Sequence, residues 1–319
     1  MVSRADIYRK NAKNFQSKTK YKRNPKRNKK REKRGKYEKR KKDEMDKFIK
    51  SISKYPSLKD IRTEEITKID GWAYFVADYF KTRLNTHQLR DIHYSFKKID
   101  QLEEEWGKRK LYYNLLEIDI QLKKDKHVIP KKFYELMNTF FTITNHANDD
   151  EKPVNFKKIM VYIDALVAYH KYLEKNIRNT DKTLQEYRLK INNEYLLGIS
   201  DNDKYITDTE KISAIINRKK DGIKIYQMRK IYNYFKYFER NLNNDWNNIH
   251  EEFDEFYPKL AYMTGRNLIS DEFFKLIIKC MDIIKQGEDE EKIIKLKNFI
   301  TYLESIISFI TYQNKVSIK

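Results

Sequence analysis

The stretch Gln88-Leu89-Arg90-Asp91-Ile92-His93-Tyr94-Ser95-Phe96-Lys97-Lys98-Ile99-Asp100 recurs 139 residues later as Gln227-Met228-Arg229-Lys230-Ile231-Tyr232-Asn233-Tyr234-Phe235-Lys236-Tyr237-Phe238-Glu239. Five of the thirteen positions are identical. Leu89, Ile92, Phe96 and Ile99 fall at helical spacing, and Met228, Ile231, Phe235 and Phe238 copy them. Such a stripe is one face of a helix built to pack on others. One residue of slippage gives an offset of 140 that holds to the end: Ile129 pairs with Ile269, Phe133 with Phe273, Leu136 with Leu276, Tyr162 with Tyr302 and Tyr172 with Tyr312. A second stripe, Ile159, Ile163, Leu166 and His170, repeats as Phe299, Leu303, Ile306 and Ile310. Three blocks in one register indicate a tandem duplication.

The spacing predicts an all-α protein with no sustained period-2 alternation. It forms two tandem small helical bundles of about five helices each. Residues 46–178 hold the first repeat, 179–203 a linker with a short helix near Tyr195-Leu196-Leu197, and 204–319 the second repeat. Pro130 and Pro153 stand where helices start, positions at which proline costs no hydrogen bond. Thr86 is the expected cap of a helix beginning at His87, and Ser270 that of one beginning at Asp271.

Outward from the repeats, the charge is unevenly spread. The chain has 319 residues and a net charge of +21, with 68 Lys or Arg against 47 Asp or Glu. Residues 1–42 alone carry a net +17, leaving +4 for the rest. Residues 1–45 therefore read as a basic arm with too little apolar surface to fold alone, hence disordered by itself. Such an arm binds phosphates without reading sequence.

A single cysteine, Cys280, excludes a disulfide scaffold and a cysteine zinc site, and points to a reducing compartment. No 18-residue apolar run spans a membrane, and the basic start has no apolar core of a secretory signal. The six histidines make no metal-ligand pair, and His170 falls on a core stripe. No nucleophile triad, phosphate loop or metal spacing is present. No catalytic residue, metal or cofactor is expected, and the chain reads as no enzyme.

Gln88-Leu89-Arg90, the stretch Pro258-Lys259-Leu260-Ala261-Tyr262-Met263-Thr264-Gly265-Arg266, and Tyr162-Ile163-Asp164-Ala165-Leu166-Val167-Ala168-Tyr169-His170 together resemble the small α-helical subunit of type III-A CRISPR–Cas effector complexes, the Csm type. The signature is divided between the repeats: Ile118-Asp119-Ile120-Gln121-Leu122 replaces the middle block in the first, and Leu303-Glu304-Ser305-Ile306-Ile307-Ser308-Phe309 replaces the last block in the second. The resemblance implies a non-catalytic, cytoplasmic subunit of an antiviral ribonucleoprotein. Its copies stack beside one another, contact other effector subunits, and line the groove where guide RNA pairs with target RNA, supporting the monitoring of their complementarity. Pairing reads sequence, so the protein need only hold the backbone.

The RNA-binding candidates are Arg90 and Arg229, in equivalent places beside the core stripes, Arg266 after Gly265, and the repeat-paired lysines Lys97, Lys236, Lys157 and Lys297. Gly265 is expected to end its helix and present Arg266 at the border. Two other readings stand beside this one: a helical protein–protein scaffold, and a general nucleic-acid-binding protein dominated by its arm.

Overall fold

The computed structural model describes residues 25–102, 105–174, 184–198, 203–217 and 224–316. The arm before Pro25 and both ends of the linker lie outside the described residues. Every regular element among the described residues is helical.

Residues 1–50 and 51–319 form separate units. The first contains most of α1 (Pro25–Ile52). Its Arg40–Glu44 ion pair, at 2.9 Å, is exposed and contributes a few tenths of a kcal/mol at most.

The second unit holds both repeats. The first comprises α2 (Thr63–Thr67), α3 (Trp72–Phe80), α4 (Thr86–Asp100), α5 (Trp106–Asp125), α6 (Lys131–His146) and α7 (Lys152–Glu174). Two short helices follow, α8 (Gln185–Lys190) and α9 (Asn193–Leu197). The second repeat comprises α10 (Asp203–Asn217), α11 (Ile225–Asn241), a 3₁₀ turn at Trp246–Asn248, α12 (His250–Asp254), α13 (Phe256–Gly265), α14 (Asp271–Ile284) and α15 (Asp289–Val316). The linker thus carries two short helices. Its Leu184, Ile191 and Leu196 are buried, and α8 and α9 pack on α14 and α15.

All four core stripes are buried as their periodicity predicts. Phe96 stacks between Phe141 and Phe156 in the first repeat; Phe235 meets Phe256 and Phe299 in the second. His170 is completely buried, its Nε2 hydrogen bonding the Leu84 carbonyl at 2.8 Å and its Nδ1 3.4 Å from Thr86 Oγ1. Burial holds its pKa below the ordinary value, so the imidazole is neutral.

Ser270 caps α14 through Phe273 N–H, as expected. The cap of α4 is one residue earlier than expected. Asn85 accepts from Gln88 N–H at 2.8 Å, and the Gln88 side chain accepts from Asn85 N–H at 2.9 Å, a reciprocal capping box. Thr86 is the first helical residue, and its hydroxyl turns inward to His170.

The repeats differ at one instructive place. Helix α5 is continuous, whereas its counterpart is broken between Asp254 and Phe256. Pro258 explains this. A proline cannot donate to the carbonyl of Asp254 four residues back, and its ring clashes there, so a new helix must begin within one turn of it. Ile118 occupies the equivalent position and carries no such constraint.

Candidate nucleic-acid interface

The repeats are joined through one central helix. The face of α7 toward the second repeat is small, with Ala165 and Ala168 buried, and α13 lays Ala261 and Gly265 against it. Gly265 does not end α13 by adopting a left-handed conformation; Asn267 does so, at φ 57°, with Leu268 N–H bonding the Met263 carbonyl. The first repeat uses His127 identically, at φ 54°, with Val128 N–H on the Lys123 carbonyl. Helix α13 does end at Gly265 with Arg266 as its C-cap, as expected, but the reason for glycine differs: it permits close approach of two helices.

Polar contacts fasten the same seam. Glu251 accepts from Thr63 Oγ1 at 3.1 Å and from Lys158 at 2.9 Å. Lys285 pairs with Glu64 at 2.9 Å as well as with Asp254. Tyr172 donates to Asp271 at 2.8 Å, and Arg90 donates to the Tyr262 hydroxyl at 3.1 Å. The hydrogen bond from Lys158 lowers the pKa of Glu251.

A groove follows this seam. Its widest part, about 650 Å³, has α4 and α7 as one wall and α11 and α13 as the other. Helix α4 contributes Arg90, His93, Tyr94 and Lys97, one helical face that borders its core stripe. Helix α7 contributes Val161, Asp164, Val167 and Ala168; α11 contributes Lys230 and Tyr234. Glu255, Pro258, Lys259, Tyr262 and Met263 come from α12–α13 and the residue between them. The groove continues past Lys157 and Lys158, where a second widening measures about 440 Å³. A third of about 410 Å³ holds Lys59, Arg62, Lys285 and Lys292.

Cations therefore alternate with acids along it. His93 Nε2 lies 2.5 Å from Asp164, and Lys97 lies 3.9 Å from the other oxygen of that carboxylate. Burial raises the pKa of Glu255, against the nearby Lys259 and with Asp164 adding to it. Several cations sit over tyrosine rings: Lys98 over Tyr94 at 4.6 Å, Arg266 over Tyr262 at 5.7 Å, and Lys259 over Tyr234 at 5.9 Å.

Of the residues expected from sequence, Arg90, Lys97 and Lys157 line the groove, and Arg266 stands at its edge over Tyr262. The second-repeat equivalents of Arg90, Lys97 and Lys157 do not. Arg229 is exposed on α11, Lys236 pairs with Glu239, and Lys297 is exposed on α15. The repeat therefore supplies two separate basic faces, and only the first is walled by a neighbouring repeat.

Residues 63–176 match the Csm2 Type III-A family model, and residues 200–315 match it again. The chain belongs to the Csm2 Type III-A family. No curated protein and no solved structure matches it. Csm2 is the small subunit of type III-A CRISPR effector complexes, a structural component that associates with other effector subunits and is not known for catalysis. The two matches fall on the two repeats, so this Csm2 chain is a tandem duplication. Among the described residues no helix is long and apolar enough to cross a membrane, and no cluster of metal-binding side chains occurs.

Sequence reasoning missed Tyr94, Lys259 and Tyr262 as groove residues. Their signal was the flank each helix presents beside its core stripe, together with the Pro258–Arg266 block. Only the packing of α13 on α7 joins those faces.

Proposed function

We propose that this duplicated Csm2 chain holds guide and target RNA in a cytoplasmic type III-A effector complex, each repeat taking the place of one small subunit. The observation that carries the reading is the seam groove, where Arg90, Lys97, Lys157 and Lys158 converge beside tyrosines in a member of this family. Lysines and arginines spaced along the groove between acids suit contacts to individual phosphates of a backbone, while base pairing between the strands supplies the sequence information.

The same reading extends to a neighbouring copy. Helix α5 exposes Leu111, Leu115, Ile118 and Leu122 at helical spacing, each between 48% and 62% accessible. The equivalent positions of the second repeat, Glu251, Glu255, Pro258 and Tyr262, face α7 across the seam. Repeating that relationship would set α5 of one chain against α15 of another. Thr301, Glu304 and Ser308 of α15 stand where α7 has Val161, Asp164 and Ala168, and they are exposed. Arg229 and Lys297 would then line a second groove like the first. Fusion of two repeats raises the effective concentration of one for the other and halves the number of docking events.

Purification of the tagged chain from cells that carry the complex, with sequencing of bound RNA, tests the proposal. Guide-length RNA together with larger partner subunits is the expected result. Bulk ribosomal RNA or DNA would instead support a general nucleic-acid role for the arm, and absence of nucleic acid a protein scaffold.

A further inference from the structure

The widest part of the seam groove differs in chemistry from a plain phosphate track. Its floor is apolar, made by Val161, Val167, Ala168 and Met263, and three tyrosines stand in it: Tyr94, Tyr234 and Tyr262. Around them Arg90, Lys97, Lys230 and Lys259 outnumber Asp164 and Glu255. A backbone alone makes no use of an apolar floor. A nucleotide has both a flat apolar face and an anionic phosphate, and its size suits a pocket of a few hundred Å³.

We infer that this part of the groove receives an unstacked nucleobase of the bound RNA, with the phosphates on either side held by the cations of the rim. The inference rests on the RNA-holding function proposed above and adds the class of its ligand group. Three observations favour a base over a peptide. Arg90 bridges α4 to Tyr262 on α13 at 3.1 Å. A helix about 10–12 Å across cannot lie along the groove without breaking that bridge, whereas one planar ring can enter beside it. Tyr94 is 62% exposed and carries Lys98 against its ring, a pairing that a stacked base extends. Asp164 and Glu255 are acceptors for the exocyclic amino groups that adenine, cytosine and guanine carry. Glu255, with its pKa raised by burial, can also donate when protonated.

The test uses the full chain and a single-stranded RNA of about 12 nucleotides carrying one 2-aminopurine, a base whose fluorescence falls on stacking. Wild type is expected to quench the probe and to bind it more tightly than the same RNA with an abasic site there. Tyr94→Ala, at an exposed position where folding is undisturbed, should abolish the quench and weaken binding about tenfold with an unchanged salt slope. Tyr94→Trp should restore both. Lys97→Ala should lower the salt slope by about one unit and leave the quench intact. Salt-dependent RNA binding with unmoved fluorescence and a neutral Tyr94→Ala would overturn the base site and leave the backbone-holding function standing. Loss of all RNA binding in the wild-type chain would overturn both. Crosslinking of a photoreactive residue at Val161 to protein instead of RNA, in the assembled complex, would also overturn the inference.

Discussion

Gly265 rests directly on the backbone of Lys171. A Cβ at position 265 would stand 2.6 Å from the Lys171 carbonyl oxygen and 2.7 Å from its carbonyl carbon and from the Tyr172 nitrogen. Backbone atoms of a buried helix cannot yield as a side chain can. Gly265→Ala should therefore push α13 off α7 and destabilise the chain by roughly 1–3 kcal/mol or more, read as a lower urea midpoint. Gly107→Ala is the control. A Cβ there meets nothing within 4 Å, and this first-turn position should be neutral or slightly stabilised. Equal effects of the two substitutions would show that the seam is not tightly packed.

A second prediction concerns Tyr162. Its hydroxyl is fully buried and has no hydrogen-bond partner among the described residues. Burying an unpaired hydroxyl costs on the order of 1–3 kcal/mol, so Tyr162→Phe should be neutral or stabilising by thermal melting. Tyr169 is the contrast: its hydroxyl donates to the buried Thr67 carbonyl, and Tyr169→Phe should destabilise by about 1 kcal/mol.

These contacts show which parts of the molecule a single sequence discloses. The stripes through Leu89–Ile99 and Ile159–His170 were legible because burial of one helix face imposes a 3.6-residue period, and the duplication displayed it twice. Seam residues gave a weaker signal. Ala261 and Gly265 are small because of what lies opposite them, and the partner helix is more than 90 residues away. Arg90 and Tyr262 come from different repeats, so no local pattern links them. The cap of α4 was misplaced by one residue because Asn85 and Thr86 are both good capping residues, and the side chain of Gln88 decides between them.

His170 makes a pH prediction. The unfolded chain takes up a proton at this residue near pH 6.5, whereas burial lowers the folded-state pKa. Its neighbours are the Leu84 carbonyl, Thr86, Glu174 and Lys171. A depressed pKa gives stability that is present above the unfolded value and lost as pH falls through it. Urea unfolding should therefore show wild type losing more stability from pH 7 to pH 5 than His170→Ile, the residue that Ile310 provides in the second repeat. Asp254 and Asp282, whose pKa values burial raises, act with the opposite sign but equally in both proteins. Parallel pH profiles would exclude His170 as the source.

RNA binding should separate the two basic faces. Arg90→Ala removes a groove cation and should lower the salt slope of the isolated chain by about one unit. Arg229→Ala lies on the face that no repeat walls, so it should matter little for the isolated chain and more once copies adjoin. Filter binding between 50 and 200 mM salt, with and without the assembled complex, measures both. An Arg229→Ala effect as large as that of Arg90→Ala in the isolated chain would mean that the open face binds RNA by itself.

The stripe on α5 makes the prediction about assembly. Its four large apolar residues are exposed although the rest of the first repeat is well packed, and contiguous exposed apolar surface marks an interaction face. The seam supplies its geometry: the equivalent helix of the second repeat is covered by α7. The match with α15 is not perfect, because Asp125 and Gln121 replace Gly265 and Ala261, so two chains must approach less closely than two repeats do. The contact is also heterologous, since α5 meets α15 and not another α5, and such contacts extend head to tail. Sedimentation should show concentration-dependent self-association that Ile118→Glu abolishes without lowering the melting temperature, since Ile118 is 55% exposed. Paired cysteines should fix the direction: Ile118→Cys on one chain should crosslink to Ser308→Cys on another, while the native Cys280 stays buried and unreactive. Crosslinking between two copies of Ile118→Cys alone would indicate a closed symmetric dimer and remove the head-to-tail arrangement.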